Sequence, residues 1–422
     1  MVIKMRVFFI SLFILVFLSN SSIAQTPNLS GVSKNDLKMN TITTALPFLS
    51  ITPDSRAGGM GEAGTALSPN STSIYWNTSI LSFAKKKAEI GLSYVPWLRQ
   101  LTNDIHLSYI SGYYKINQKH SIGGSLRYFS LGEITFTDNL GNVIRNDKPN
   151  EYEIAGAYAF KLSEKLSVGL NGKFAYSNLT GGLVVGGANT KAAVAGATDL
   201  SFTYFSENAK IGSLSGAYTF ATTINNVGNK ITYSENAKRD FIPMNLKMAT
   251  SYRADIDKFN NVLLAFELQK LLVPTPPIYA KDGSIASGKN SDVGVIAGML
   301  QSFNDSPGVI AKDDNGNFIQ NSDGSYQIIK GSRLKEELTE INIATGLEYW
   351  YNNVFALRTG YFYENKNKGN RKYVNFGAGF KYNNLGIDMS YLISVSGKNS
   401  PLANTIRFTL RYTVGDAVDK SN

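Results

Sequence analysis

The chain has 422 residues, a formal net charge of +10, 38 glycines, 23 tyrosines, 23 phenylalanines, two histidines and no cysteine. Without cysteine there is no disulfide framework, and two histidines give no cluster for a transition-metal site or a Ser/His machine. Aromatic and glycine enrichment favours strands and membrane interfaces. A mean hydropathy of −0.13 fits a barrel in which only alternate residues meet lipid.

Lys4 and Arg6 precede an apolar run from Val7 to Leu18, and Ser22-Ile23-Ala24 is a small-x-small cleavage signal. Residues 1–24 therefore read as a secretory signal peptide, since a spanning helix needs roughly 20 apolar residues. Beyond it no apolar stretch reaches that length, and Val262–Leu272 is broken by Glu267, Gln269 and Lys270. Helical spans are excluded.

Residues 25–87 do not alternate and carry turn signals at Thr52-Pro53-Asp54, Gly58-Gly59 and Ser68-Pro69-Asn70. Phe48, Leu49, Ile51, Ile74, Tyr75 and Trp76 are too apolar for a solvated tail. The stretch is expected to be a hatch that sits in the lumen of the downstream barrel.

From residue 88 to 414 a period of two dominates. Ala88, Ile90, Leu92 and Tyr94 share one face, with Glu89, Gly91 and Ser93 on the other. Ile406, Phe408, Leu410 and Tyr412 alternate with Arg407, Thr409, Arg411 and Thr413. About 14 strands are predicted, an even number as bacterial barrels have. They lie at 88–97, 104–115, 119–130, 150–161, 164–177, 197–206, 212–226, 243–255, 260–271, 340–351, 353–364, 371–382, 385–396 and 403–414. The fold class is thus all-β, an antiparallel transmembrane β-barrel with an N-terminal hatch and a short tail at 415–422.

Counted from a periplasmic N-terminus, every second connection is a short polar turn: Asn117 to Lys119, Ser163-Glu164, Ser206 to Lys210, Asp257 to Asn260, Tyr351 to Asn353 and Asn383-Asn384. The others are mostly longer, at 131–149, 178–196, 227–242, 272–339, 365–370 and 397–402. That phase belongs to outer-membrane barrels. It predicts both termini in the periplasm and the long loops outside. The largest, 272–339, opens with Val273-Pro274-Thr275-Pro276-Pro277-Ile278-Tyr279, read as a stiff apolar surface segment that cannot pair as a strand. A short helix is expected within 331–340. A loop of this length points to partner binding or gating, with Trp97, Pro276, Pro277 and Tyr279 as candidate contacts.

Other motifs read blandly. Gly59-Met60-Gly61-Glu62-Ala63-Gly64 matches G-x-G-x-x-G but has no βαβ unit around it, so tight turns and close backbone approach are the better reading. Asp313-Asp314-Asn315-Gly316-Asn317 lacks the offsets of a calcium loop. G-x-S-x-G is absent, and no enzymatic activity or cofactor is expected. The charges are scattered, apart from Lys85 to Lys87 and the stretch from Lys366 to Lys372. Outer-membrane lipid, including anionic lipopolysaccharide, is the expected counter-charge, and no nucleic acid is expected.

Leu49 through Ala66, with Ser73-Ile74-Tyr75-Trp76-Asn77, strongly resembles the PorV family, outer-membrane proteins of the type IX secretion system. Tyr94-Val95-Pro96-Trp97-Leu98, the turn at Asn225 to Gly228 with Pro243 to Leu246, and Glu267 through Pro277 are similar too. The resemblance runs from about residue 45 to the last strand. It implies a FadL-like barrel whose hatch includes Asp54, Arg56, Gly59, Gly61, Gly64, Trp76 and Asn77. It also implies a shuttle that takes cargo by C-terminal signal domains from a SprA-type translocon to a PorU sortase complex. That complex would attach cargo to lipopolysaccharide. A FadL-type transporter of long-chain fatty acids or other hydrophobic small molecules is the rival. One departure is that Gly415 to Asn422 follows Tyr412, whereas many barrels end on an aromatic residue.

Overall fold

The computed structural model describes residues 40–416, apart from 99–101, 103, 138–139, 180, 183, 186–187, 236 and 396–403. The signal-peptide reading and the tail at 417–422 lie outside the described residues. Fourteen antiparallel strands close into one barrel, each hydrogen-bonded to its neighbours in sequence and the last to the first. The strands are β1 (Lys86–Pro96), β2 (Ile105–Lys115), β3 (His120–Leu131), β4 (Asn150–Lys161), β5 (Leu166–Asn178), β6 (Ala193–Ile211) and β7 (Leu214–Gly228). They continue as β8 (Asn245–Asp255), β9 (Asn260–Leu271), β10 (Ile341–Tyr351), β11 (Phe355–Tyr363), β12 (Lys372–Tyr382), β13 (Leu385–Ser394) and β14 (Ile406–Asp416). Except for β6, every strand lies within three residues of its predicted bounds.

Alternation puts the two halves of each strand in different solvents. On β1, Ile90, Leu92 and Tyr94 are 52, 54 and 44% exposed on the outside, while Glu89 and Ser93 are 6 and 1% exposed inside. The outer face is what hydrocarbon accepts. The inner face is polar, and buried polar groups must find hydrogen-bond partners. An N-terminal segment inside the barrel supplies them.

Strand β6 corrects the predicted 197–206. It runs for 19 residues, and Ser206 to Lys210, read as a turn, is strand. The true turn is Gly212-Ser213, with Gly212 at φ +59°. A register shift between Ser206 and Ala209 lets the β6–β7 hairpin run past the neighbouring turn of β4 and β5. Polar residues there reach into water, so composition alone gives a turn signal where the chain is still paired.

Connections at 116–119, 162–165, 212–213, 256–259, 352–354 and 383–384 cluster at one end, and the longer ones at the other. The described chain starts at the long-loop end. Asn40 Nδ2 donates to Glu336 Oε1 at 3.0 Å, and Ala45 N donates to Phe241 O at 2.8 Å, both acceptors lying in long connections. From there the chain descends through the lumen, through the short helical turns α1 (Ser55–Gly58) and α2 (Ser73–Trp76), and turns into β1 at the short-turn end. The N-terminus predicted on the short-turn side lies outside the described residues; the first described residue, Asn40, stands at the long-loop end. The strand phase hides this, because it counts from β1 onward.

The 272–340 connection is folded. Ile278–Tyr279 pairs with Ile285–Ser287. Helices α3 (Val295–Gln301) and α4 (Arg333–Thr339) follow. The Val273–Tyr279 segment is not a surface strip. Leu272, Val273 and Thr275 are 2, 3 and 0% exposed, and Pro274 and Pro277 are buried. Its apolar side chains seek the core, and the rest of the insertion covers them. Ile278-Tyr279 also pairs as a short strand, which the proline run alone argues against.

Candidate functional site

The inner segment, residues 47–84, meets barrel strands on all sides. Asp54 caps α1 by accepting from Ala57 N at 3.0 Å, and it accepts from Trp76 Nε1 at 2.6 Å. Arg56 forks onto Glu348 of β10, with Nε to Oε2 at 2.9 Å and Nη2 to Oε1 at 2.8 Å. Glu348 also accepts from Arg358 of β11 at 2.7 Å. Arg358 and Arg411 both donate to Asp388, at 2.8 and 2.7 Å, so cation and anion alternate across four strands. Glu62 takes Arg407 of β14 at 2.8 Å.

Across the lumen, Thr65 N donates to Glu267 of β9 at 2.9 Å, and Asn77 Nδ2 donates to Thr203 Oγ1 of β6 at 2.8 Å. Arg127 of β3 donates to the carbonyls of Phe48 and Leu49, each at 3.1 Å, and lies over the Tyr75 ring. At these contacts the polar lumen and the inner segment satisfy each other. Removing one side of such a buried ion pair typically costs about 3–5 kcal/mol.

The glycines of the G-x-G-x-x-G stretch serve close approach. Gly61 has φ +66°, and a Cβ there would stand 2.5 Å from Tyr361 N. A Cβ on Gly64 would stand 2.2 Å from the Trp76 ring. Gly59 rests against Gly377 of β12.

At the long-loop end the 272–340 insertion is held down by ions. Lys270, at the end of β9, donates to Glu340 at 2.6 Å and Glu337 at 3.4 Å. Lys368, in the 364–371 connection, donates to Glu336 and Glu340, both at 2.9 Å. Glu337 accepts from the amides of Asp305 and Ser306, and Glu340 accepts from Thr275 Oγ1 at 2.6 Å. Burial works to raise the Glu340 carboxyl, but the charges of Lys368 and Lys270 outweigh it and hold it below the ordinary carboxylate range. Burial pushes the neighbouring Asp305 up to about 6, against the amide of Thr275 that favours its charge.

The outer surface of this cap is apolar. Ile296, Leu300 and Phe303, spaced along one face of α3 and just past it, are 61, 72 and 49% exposed. Leu334 and Leu338 of α4 are 70 and 59% exposed. Lys270, which bonds Glu337 of α4, also lies near the end of α3, its Nζ 5.9 Å from the Phe303 ring centre.

Between the inner segment and the barrel wall lies a chamber of about 530 Å³. Phe48, Trp97, Phe129 and Leu392 make its apolar wall, and Lys247 and Arg407 face it. Lys247 is 6% exposed, sits 4.3 Å from the Trp76 ring centre, and has no hydrogen bond or ion pair among the described residues.

The candidate contacts do not form one site. Trp97 is half-buried and lines the chamber, with its backbone N–H on Ile105 O. Pro276 is half-buried, Pro277 is buried, and Tyr279 is 52% exposed. The residues that tie the molecule together (Glu267, Glu348, Asp388, Glu336, Glu337, Glu340 and Lys368) were not singled out by composition. A signal existed for the first three, since a charge on the inward half of an alternating strand needs a partner in the lumen. Asp313 accepts from Asn315 N and Asn317 N, closing an ordinary turn. Lys85 to Lys87 sit at the short-turn end, and in the other basic stretch Lys368 and Arg371 are held by Glu336 and Glu364.

A closed strand barrel with an apolar outside, a polar inside and its own N-terminal segment in the lumen is a plugged outer-membrane barrel. Among solved structures it is similar to the toluene transporter TbuX of Ralstonia pickettii, with a TM-score of 0.47 and 11% identity over 86% of this chain and 98% of that one. The toluene transporter TodX of Pseudomonas putida gives 0.45 and 14% over 85 and 96%. A Pseudomonas aeruginosa FadL homologue gives 0.41 and 11% over 86 and 99%. No curated protein matches the sequence. The family model of the type IX secretion system protein PorV matches residues 33–278, more than half of the 422. The chain belongs to the PorV family.

Proposed function

We propose that this protein is the outer-membrane shuttle of a type IX secretion system. It binds the C-terminal signal domain of cargo leaving a SprA-type translocon and passes it to a PorU sortase complex, for attachment to lipopolysaccharide. The observation that carries this reading is the apolar face of the cap. Five large apolar side chains standing in water on one insertion are unfavourable unless a partner covers them. The ion latch below keeps that face rigid, which lowers the cost of binding. The candidate contacts become Leu300, Leu334 and Leu338, with Tyr279, exposed on the same insertion, retained from the sequence-based set.

The test is Leu300→Asp with Leu334→Asp in cells. The barrel should still insert, because neither side chain touches the wall, while cargo bearing the signal domain accumulates unprocessed. Normal secretion by a surface-exposed, folded variant would remove the cap from the proposal. The chamber favours one other reading, a FadL-type transporter, because an aromatic wall beside an unpaired ammonium suits an amphiphile. Gene deletion separates the two. A shuttle loses secretion with fatty acid uptake intact, and a transporter does the reverse.

A further inference from the structure

The short-turn rim is electrically lopsided. Along β1 to β7 it carries Lys85 to Lys87, Lys119, Lys161, Lys165 and Lys210 against only Glu164 and Glu207. On the remaining strands cations and anions balance, and Arg253 is paired with its own neighbour Asp255 at 3.1 Å. Lys119, Lys161 and Lys165 form one arc, because the strand ends and turns that bear them are joined edge to edge, and Lys210 stands farther out on the β6–β7 hairpin that runs past them. Lys161 N donates to Lys119 O and Phe205 N donates to Lys165 O, each at 2.8 Å. The two glutamates neutralise Lys85 and Lys161. Lys119, Lys165 and Lys210 are exposed and hold no ion pair among the described residues.

Directly next to the arc lies an aromatic belt on the lipid face. Tyr114 and Tyr158 are 44 and 42% exposed, and His120 Nδ1 shares a 2.6 Å hydrogen bond with Tyr158 Oη. Lys87 Nζ stands 5.6 Å from the centre of the Tyr114 ring. Tyrosines of this kind sit at the level of lipid headgroups, and short turns of bacterial barrels face the periplasm.

We propose that this arc binds the phosphates of anionic phospholipid headgroups in the periplasmic leaflet. The belt fixes the depth of the barrel, so that Lys119 and Lys165 project at the height of the phosphate layer, and Lys210 reaches back to it on its flexible stem from the longer hairpin. Ammonium groups on flexible stems suit phosphates whose positions are not fixed, and attraction of this kind fades within a Debye length. An acidic periplasmic protein would need no alignment with the aromatic belt, and Lys87 and Lys119 stand beside the belt residues Tyr114, His120 and Tyr158 on β2 to β4. This surface is independent of the cap and of the cargo reading.

The test uses the full-length protein in bilayers of phosphatidylcholine with trace spin-labelled phosphatidylglycerol or phosphatidylcholine. Electron paramagnetic resonance then gives the fraction of each label held at the protein surface. The wild type should prefer phosphatidylglycerol about threefold at low salt, and the preference should shrink in 1 M salt. Lys119→Gln with Lys165→Gln and Lys210→Gln should bring it close to one. Lys258→Gln, on the balanced half of the rim, should leave it unchanged. Correct insertion of each variant is checked by heat-modifiable gel mobility. No preference in the wild type overturns the proposal, as does a preference that survives in the triple variant. Capture of an acidic periplasmic protein by the arc without any lipid preference also overturns it.

Discussion

At the scale of single residues, the molecule is most sensitive where the inner segment touches the wall. Gly64 has no room for a methyl group, because the Trp76 ring already occupies that space. Gly64→Ala should push Trp76 off Asp54 and break a hydrogen bond that also steadies the cap of α1. The expected cost is about 1–3 kcal/mol from overpacking, confined to the inner segment. Tryptophan emission should shift to the red while the far-ultraviolet strand signal stays. An unshifted spectrum would show that the ring has somewhere else to go. None of this was legible in the G-x-G-x-x-G letters. They announce glycines in close quarters, but the neighbour that needs the space comes from twelve residues further on.

At the scale of elements, the cap is a folded insertion clamped by four carboxylates and two lysines, and its hold depends on pH in two opposite ways. Asp305 is raised to about 6 by burial, against about 4 in an unfolded chain. Its contribution is fully present below about 4 and is lost as pH rises through 6. Glu340 is depressed, so its contribution is present above its unfolded value and is lost as pH falls below it. Hydrogen-exchange protection of the Ser306 and Gly308 amides, which bond to Glu337 and Glu336, should therefore decline between about pH 4 and 6. Asp305→Asn should flatten that decline and raise protection at neutral pH. Strands and insertions differed in how much the sequence disclosed. Each barrel strand repeats one two-residue rule over its length, so an error at one position is outvoted by the rest. The insertion has no such rule. Val273 to Pro277 reads as surface because the groups that cover it, Gly298 of α3 against Pro274 and Asp305 and Glu340 on Thr275, lie farther along the chain in an insertion without a repeating pattern.

At the scale of the whole molecule, alternation and turn length gave the strand number and its phase, and composition could give no more than that. The start of the described chain at the long-loop end had no local signal, since it depends on Asn40 and Ala45 meeting residues far away in sequence. The same geometry bears on permeability. The inner segment fills the lumen and is fixed to β10 by Arg56 and Glu348, so purified protein in planar bilayers should conduct little. Arg56→Gln leaves Glu348 with Arg358 alone and loosens one side of the segment, at a cost of about 3–5 kcal/mol. Brief ion-conducting openings should then appear, and a variant as silent as the wild type would show that the other wall contacts suffice. The pairing of β1 with β14 also sets an order of events in assembly. Residues 47–84 are made first and cannot be threaded into a sealed cylinder, so they must already lie between the strands when the final seam zips. The barrel is wrapped around its own beginning, and a chain delayed at its last strand would keep both its seam and its interior open to the membrane.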